Sequence, residues 1–263
     1  MMTPEICKSD TLRLKYGDRW EKLKILMDNL PSHELLLKCD LKEGEKNPAY
    51  KFSWQLPSEE HPYFNVGFDT HVNEKNKHPI DAFETFKQEY TLRKKVYISD
   101  KNVQKYESSG IKDPVTEYFL EMKRDFDLIL KYYYDHFYPG IQEKYEFWTS
   151  LMLIEYACPF ATKENSIEQR TLNTEIWGPS HCDETLGGIH LGENVQEFQA
   201  SFTGEDGPYQ YFDELMDNQY MFFFGEESEK FGHMPTFHRM IPHPTEPSST
   251  RYSIIMDLVA KEL

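Results

Sequence analysis

Residues 179–192 read Pro-Ser-His-Cys-Asp-Glu-Thr-Leu-Gly-Gly-Ile-His-Leu-Gly, a stretch with no helical spacing that closes on the turn signal Gly192-Glu193-Asn194. It belongs to a series of short β-rich runs that begins near Trp148. They cover residues 150–158, 171–177, 184–192, 195–202, 209–215, 219–224, 235–241 and 251–259. Between them stand turn signals: Gly178-Pro179, the segment from Gly204 to Pro208, Gly225, and the Pro-rich segment 242–249. Many short strands at close spacing predict a β-sandwich or barrel of the jelly-roll kind. Gly187-Gly188 does not read as a phosphate loop, because no helix follows it, and a bulged strand fits better.

Toward the N-terminus the pattern changes, and residues 1 to about 140 read mostly as helix. Asp18 to Asn29 places Trp20, Leu23, Ile25 and Leu26 near helical spacing, and Asp81 to Lys95 is a second candidate. The strongest runs from Asp113 to Phe137. Asp113 can cap it, Pro114 suits the first helical position, and Pro139-Gly140 ends it. Tyr118, Met122, Phe126, Leu130 and Tyr134 recur every four residues, which is a core stripe. Tyr132 to Tyr134 then read as helix surface and core, not as a stacking platform. Residues 42–77 are polar and carry Pro48, Pro57 and Pro62, the pattern of irregular loops or short strands that cover something. The expectation is an α+β chain, with helices packed on a sheet in a single domain over 1–263.

Composition narrows the function classes. A formal net charge of −16 repels phosphate backbones and anionic headgroups, so neither nucleic acid nor a membrane surface is expected as a partner. Hydrophobic residues make up only 39%, yet 18 Phe and 17 Tyr supply much buriable surface. No run of 18 apolar residues exists, and Met1 to Ile6 has no signal-peptide pattern. Cys7, Cys39, Cys158 and Cys182 form no CxxC, so reduced thiols and a cytoplasmic location are expected.

The chemistry-bearing residues cluster in the last third. If His181 and Asp183 lie in one strand, positions i and i+2 share a face, and Cys182 points away. A third ligand could come from His238, inside the β-rich run Thr236 to Ile241, or from His243 between two prolines, where inward aim is harder; His238 is preferred. Two imidazoles and one carboxylate cap one face of an octahedral metal and leave the other open, the ligand set of non-haem Fe(II) oxygenases. If 238 and 251 belong to one hairpin, Arg251 pairs near Met240 or Ile241, roughly 7–10 Å along the sheet from His238. A five-carbon dicarboxylate could span this from metal to guanidinium, whose planar fork suits a carboxylate, with Ser253 adding a hydrogen bond. His233 and Trp177 read as packing or surface, and His190 could face in or out. Arg170 is a weak candidate for a substrate carboxylate. Cys182, away from the ligand face, does not read as a nucleophile.

These residues resemble the Fe(II)/2-oxoglutarate-dependent oxygenases, in particular their isopenicillin-N-synthase-like branch. The resemblance rests on Leu151 to Pro159 (LMLIEYACP), Pro179 to Asp183, Tyr220 to Gly225 (YMFFFG), His238-Arg239-Met240 and Arg251-Tyr252-Ser253. It covers about residues 113–263. It implies a double-stranded β-helix over 146–263, with helical support and covering loops over 1–145. It implies iron on His181, Asp183 and His238, and the distal carboxylate of 2-oxoglutarate on Arg251 and Ser253, with Tyr156 also near that co-substrate. The implied activity uses Fe(II), 2-oxoglutarate and O2 to hydroxylate, desaturate or cyclise a small-molecule substrate such as an amino acid or natural-product intermediate, releasing succinate and CO2. A carboxylate at 183 occupies the position that halogenating relatives leave open, so halogenation is not expected. Two alternatives remain: an iron oxidase that uses no 2-oxoglutarate, with Arg251 and Ser253 holding the substrate's own carboxylate, and a non-catalytic metal-binding jelly roll. The gap between the His238 and Arg251 motifs is longer than usual, and Glu226 to Met234 is unusual, so no relative's substrate transfers. Oligomeric state is not legible.

Overall fold

The computed structural model describes residues 6–29, 65–71, 91–110, 112–157, 178–192, 198–201, 203–211, 219–240 and 250–263. In chain order these form β1 (Ile6–Lys8), α1 (Asp10–Tyr16), α2 (Arg19–Asp28), β2 (Asn65–His71), β3 (Thr91–Ser99), α3 (Asp100–Ser109), α4 (Pro114–Phe137), β4 (Tyr145–Ala157), β5 (Gly178–His181), β6 (Gly187–Gly192), β7 (Phe198–Ser201), β8 (Gln210–Tyr211), β9 (Gln219–Phe223), β10 (Phe237–Met240) and β11 (Thr250–Glu262). The strands build two antiparallel sheets. The larger has the order β1-β9-β6-β11-β4-β3-β2, and the smaller β5-β10-β7-β8.

Side-chain alternation on the large sheet decides where the core lies. Ile254, Met256 and Leu258 of β11, Ile189 and Leu191 of β6, Leu151 and Leu153 of β4, Val96 and Ile98 of β3, and Tyr220 and Phe222 of β9 are buried in one hydrophobic cluster. That cluster includes Phe119, Met122, Phe126 and Leu130 of α4 and Leu12, Leu23 and Leu26 of α1 and α2. Burying each such side chain contributes on the order of 1.5–3 kcal/mol. The alternate positions of the same strands (Lys95, Ile154, His190, Met221, Phe223, Ser253, Ile255 and Asp257) are absent from the cluster and form the sheet's second face.

Helix α4 matches the expectation. Asp113 accepts a hydrogen bond from the Thr116 amide at 2.7 Å, and Pro114 stands at the start. Met122, Phe126, Leu130 and Tyr134 are buried, while Tyr118 takes the shoulder, edge-on to Tyr16 at 5.4 Å. Tyr132 is exposed while Tyr133 and Tyr134 are buried. Helix α2 also lies where the spacing placed it.

Two expectations are corrected and a third is extended. Among the described residues, 1–140 are mostly helix, and β1, β2 and β3 add strands there that extend the large sheet at both ends. Within the candidate helix 81–95, residues 91–95 belong to β3, and 81–90 lie outside the described residues. Finally, His238 and Arg251 are not in one hairpin. Strand β10 pairs with β5 and β7, while β11 pairs with β4 and β6, so the chain crosses between sheets from one to the other. Arg251 has Tyr156, not Met240 or Ile241, as its register partner. The run 171–177 lies outside the described residues, as do 42–64 and 72–77 of the polar segment.

Candidate metal centre

The small sheet supplies two of the expected ligands directly. His181 ends β5, His238 begins β10 just after Phe237, and the two are register partners. Their rings stand 4.3 Å apart, centroid to centroid. Asp183 lies two residues past the end of β5, so it does not reach the site by strand alternation as expected. Its backbone holds it instead. The Asp183 carbonyl accepts from the amides of Thr185 and Glu226, each at 2.8 Å, and the Leu186 amide reaches the Leu258 carbonyl at 3.0 Å. Gly225 packs against this turn: a Cβ there would stand 2.2 Å from the Thr185 carbonyl oxygen and 2.7 Å from that of Asp183. A glycine is required for close approach, which is why one stands at 225, two residues past the end of β9.

Asp183 Oδ1 lies 3.8 Å from His181 Nε2, and Oδ2 lies 3.9 Å from His238 Nε2. The three donor atoms all fall within 4.8 Å of one another. Two metal–ligand bonds of about 2.1 Å subtend at most about 4.2 Å, so both nitrogen–oxygen separations suit a single ion. His238 Nδ1 is 3.3 Å from the Thr236 carbonyl oxygen. A carbonyl can only accept, so Nδ1 carries the proton and Nε2 keeps its lone pair toward Asp183. Thr236 is itself held, its amide donating to the Phe224 carbonyl at 2.8 Å and its hydroxyl accepting from the Phe224 amide at 3.3 Å. Side-chain exposure falls from 35% for His181 to 24% for Asp183 and 11% for His238, so one side of the group is open.

Of the second expected cluster, the side chain of Ser253 is described, on the face of the large sheet opposite the hydrophobic cluster. Ser253 is fully buried, with Oγ 3.4 Å from His190 Nε2, and His190 is buried too. This answers which way His190 faces. Arg251 and Tyr156 are register partners on β11 and β4, and position 251 belongs to the same alternating set as Ser253. Strand β6 links the two clusters. His190 stands two residues from Gly188, whose partner Phe223 has its ring 6.1 Å from the His238 ring.

Other candidates fall away from the site. His233 stacks on Phe224 at 4.6 Å and lies 3.2 Å from the Phe137 carbonyl oxygen, so it packs. Burial raises the Cys182 thiol to about 11, with Glu226, Asp183 and Glu229 adding to the shift, so it is not a thiolate nucleophile near neutrality. His243, Trp177 and Arg170 lie outside the described residues. The sequence reading missed Thr236, Gly225 as the support beneath Asp183, and Asp257. The signal for Asp257 was a carboxylate inside the apolar run Ile254 to Val259. Among the described residues no helix is long and apolar enough to cross a membrane.

No family model matches the chain, and no curated protein does. Solved structures do. A full-length Neurospora crassa protein, crystallised with alpha-KG and thymine, is similar over 97% of this chain and 76% of that one, at 12% identity and a TM-score of 0.56. A putative 2OG-Fe(II) oxygenase family protein from Caulobacter crescentus is similar over 98% and 77%, at 14% identity and a TM-score of 0.55. A putative oxygenase from Shewanella oneidensis is similar over 98% and 82%, at 12% identity and a TM-score of 0.56. The chain therefore has the fold found in solved 2-oxoglutarate–Fe(II) oxygenases.

Proposed function

We propose that this protein is a non-haem Fe(II)- and 2-oxoglutarate-dependent dioxygenase of small molecules, built on a double-stranded β-helix. The observation that carries the reading is the convergence of His181, Asp183 and His238 on one point, open on one side, in a chain with this fold. That donor set fits Fe(II), because two neutral imidazoles and one carboxylate leave facing positions for a chelating co-substrate and O2. Bound there with 2-oxoglutarate and O2, iron supplies the oxidative decarboxylation that yields succinate and CO2 and the power to oxidise an unactivated C–H bond.

The chain's own residues orient, neutralise and exclude water. His181, Asp183 and His238 hold the ion. The Thr236 carbonyl keeps His238 in the tautomer that ligates through Nε2. On β11, Arg251 supplies the cation for the distal carboxylate of 2-oxoglutarate, and Ser253 a hydroxyl donor. His190, beside Ser253, fixes that hydroxyl or adds a donor of its own. Tyr156, the register partner of Arg251, borders the same end. The Neurospora crassa complex contains thymine, a compact heterocycle, and a small substrate is proposed here too.

The test is anaerobic addition of Fe(II) and then 2-oxoglutarate to the metal-free protein, recorded in the visible. A metal-to-ligand charge-transfer band should appear only with both, and Arg251→Ala should raise the 2-oxoglutarate concentration needed by about ten-fold or more, the loss of one charge-assisted pair. Iron binding without the band would replace this reading with an oxidase that uses no 2-oxoglutarate. No iron binding would remove the oxygenase reading altogether.

A further inference from the structure

We infer that Asp257 is the substrate-recognition group of this site and that it takes the ammonium group of an amine-bearing substrate. The inference rests on the oxygenase reading above and extends it to the chemical class of substrate.

The first argument is position. On β11, Asp257 has Ser150 of β4 and Gly188 of β6 as its register partners. Gly188 in turn pairs with Phe223, whose ring stands 6.1 Å from that of His238. Asp257 is thus in the row of the large sheet whose Phe223 reaches toward His238. Alternation sets it on the face of Ser253 and Ile255, opposite the hydrophobic cluster that holds Met256 and Leu258. Its cross-strand neighbours are a glycine and a serine, both small. Gly188 has no choice: a Cβ there would stand 2.6 Å from the Met256 carbonyl oxygen and 2.9 Å from the Phe223 ring.

The second argument is hydrogen bonding. Asp257 Oδ1 is fully buried and has no hydrogen-bond partner among the described residues. An orphaned buried acceptor costs about 1–3 kcal/mol, more when charged, so a native structure that keeps one has a use for it. That use is not metal ligation, since the donor group that could hold an ion consists of His181, Asp183 and His238 without Asp257.

The third argument is charge. Burial holds the Asp257 carboxyl well above the ordinary carboxylate range, with Asp183 adding to the shift, so its charged form lacks full compensation. Lys95, from the same face of β3, is the cation that partly offsets this at Asp257. The protein carries a net charge of −16. A desolvated carboxyl with an unpartnered oxygen gains most from a ligand that brings its own positive charge and N–H donors, and nothing from a carboxylate.

The test uses protein loaded anaerobically with Fe(II) and 2-oxoglutarate, and two matched probe pairs: benzylamine with benzyl alcohol, and cyclohexylamine with cyclohexanol. Binding is read by calorimetry and by perturbation of the visible spectrum. Each amine should bind at least about ten-fold more tightly than its alcohol, the factor for one charge-assisted hydrogen bond. Asp257→Asn should abolish that preference and leave alcohol binding within about two-fold, while the melting temperature does not fall, because Oδ1 has no partner to lose. Equal binding of amine and alcohol, a preference that survives Asp257→Asn, or a fall of more than about 4 °C would each overturn the inference. If the charge-transfer band itself never forms, the oxygenase reading fails, and calorimetry of the amines on metal-free protein still decides the role of Asp257.

Discussion

His238, a ligand in the proposed triad, shows how much of a metal ligand's chemistry would be set by groups that never touch the metal. Its Nδ1 faces the Thr236 carbonyl, so Nε2 is left as the donor, and Thr236 is fixed by two hydrogen bonds to Phe224. Phe224 leads into Gly225, which packs against the Asp183 carbonyl. Two ligands from opposite ends of the site therefore depend on one short segment, 224–236. Gly225→Ala is the sharpest test of this. The added methyl would press 2.2 Å from the Thr185 carbonyl and 2.7 Å from that of Asp183, so the Asp183 turn must move. Iron affinity should drop about 10–100-fold, the range seen when the support of a ligand is lost, while far-UV circular dichroism stays the same. Unchanged affinity would show that the Asp183 carboxylate is positioned by its side chain alone.

At the scale of elements, what was legible depended on whether the signal was local. Helix α4 could be read because its period, its Asp113 cap and its Pro114 all lie within one segment. Strand β3 could not. Its Lys95 points to the inner face of the sheet, and a charged residue there broke the alternation that marks a strand. The triad could be read from residue types, yet strand alternation was the wrong reason for Asp183, because β5 stops at His181 and backbone hydrogen bonds place the carboxylate. Linear spacing also cannot tell a hairpin from a crossover, so the short separation of His238 and Arg251 suggested the first where the chain makes the second. One device joins α4 to the strands it covers. Lys123 of α4 is buried, and its Nζ meets Asp100 at 2.6 Å, Asp127 at 2.9 Å and the Thr149 hydroxyl at 3.0 Å. Asp100 starts α3 and Thr149 lies in β4, so one ammonium ties three elements. Lys123→Ala should destabilise the protein by somewhat less than the roughly 3–5 kcal/mol of a fully buried pair, since Asp100 stays well exposed. Lys123→Met, which keeps the packing, should cost less than Ala in chemical denaturation. Equal costs would mean that the lost ammonium contacts, and not the packing of the stem, account for the whole effect.

Across the whole molecule the site is a joint between sheets. His181 and His238 come from the small sheet, Ser253 and Asp257 from the large one, and Asp183 from the link that runs from β5 to β6 and is tied by Leu186 to β11. An ion held by this group binds the folded chain and not the unfolded one, so it must raise stability by mass action. At about a hundred-fold excess over Kd the gain is about 2.7 kcal/mol, which for a chain of this size is about 5–10 °C in melting temperature. Net charge complicates the measurement: at −16, any divalent cation also relieves self-repulsion. Ligand chemistry separates the two effects. Mg(II) favours oxygen donors and keeps its waters, whereas Mn(II) and Co(II) accept imidazole, with Co(II) the tighter of the two. The expected order of melting temperatures is therefore Co(II) above Mn(II) above Mg(II) at equal concentration and ionic strength. His181→Ala, which removes a ligand whose side chain is 35% exposed, should bring all three to the Mg(II) value while leaving the metal-free melting temperature nearly unchanged. Equal shifts from all three ions in the parent protein would mean that charge screening, not His181, Asp183 and His238, accounts for the response.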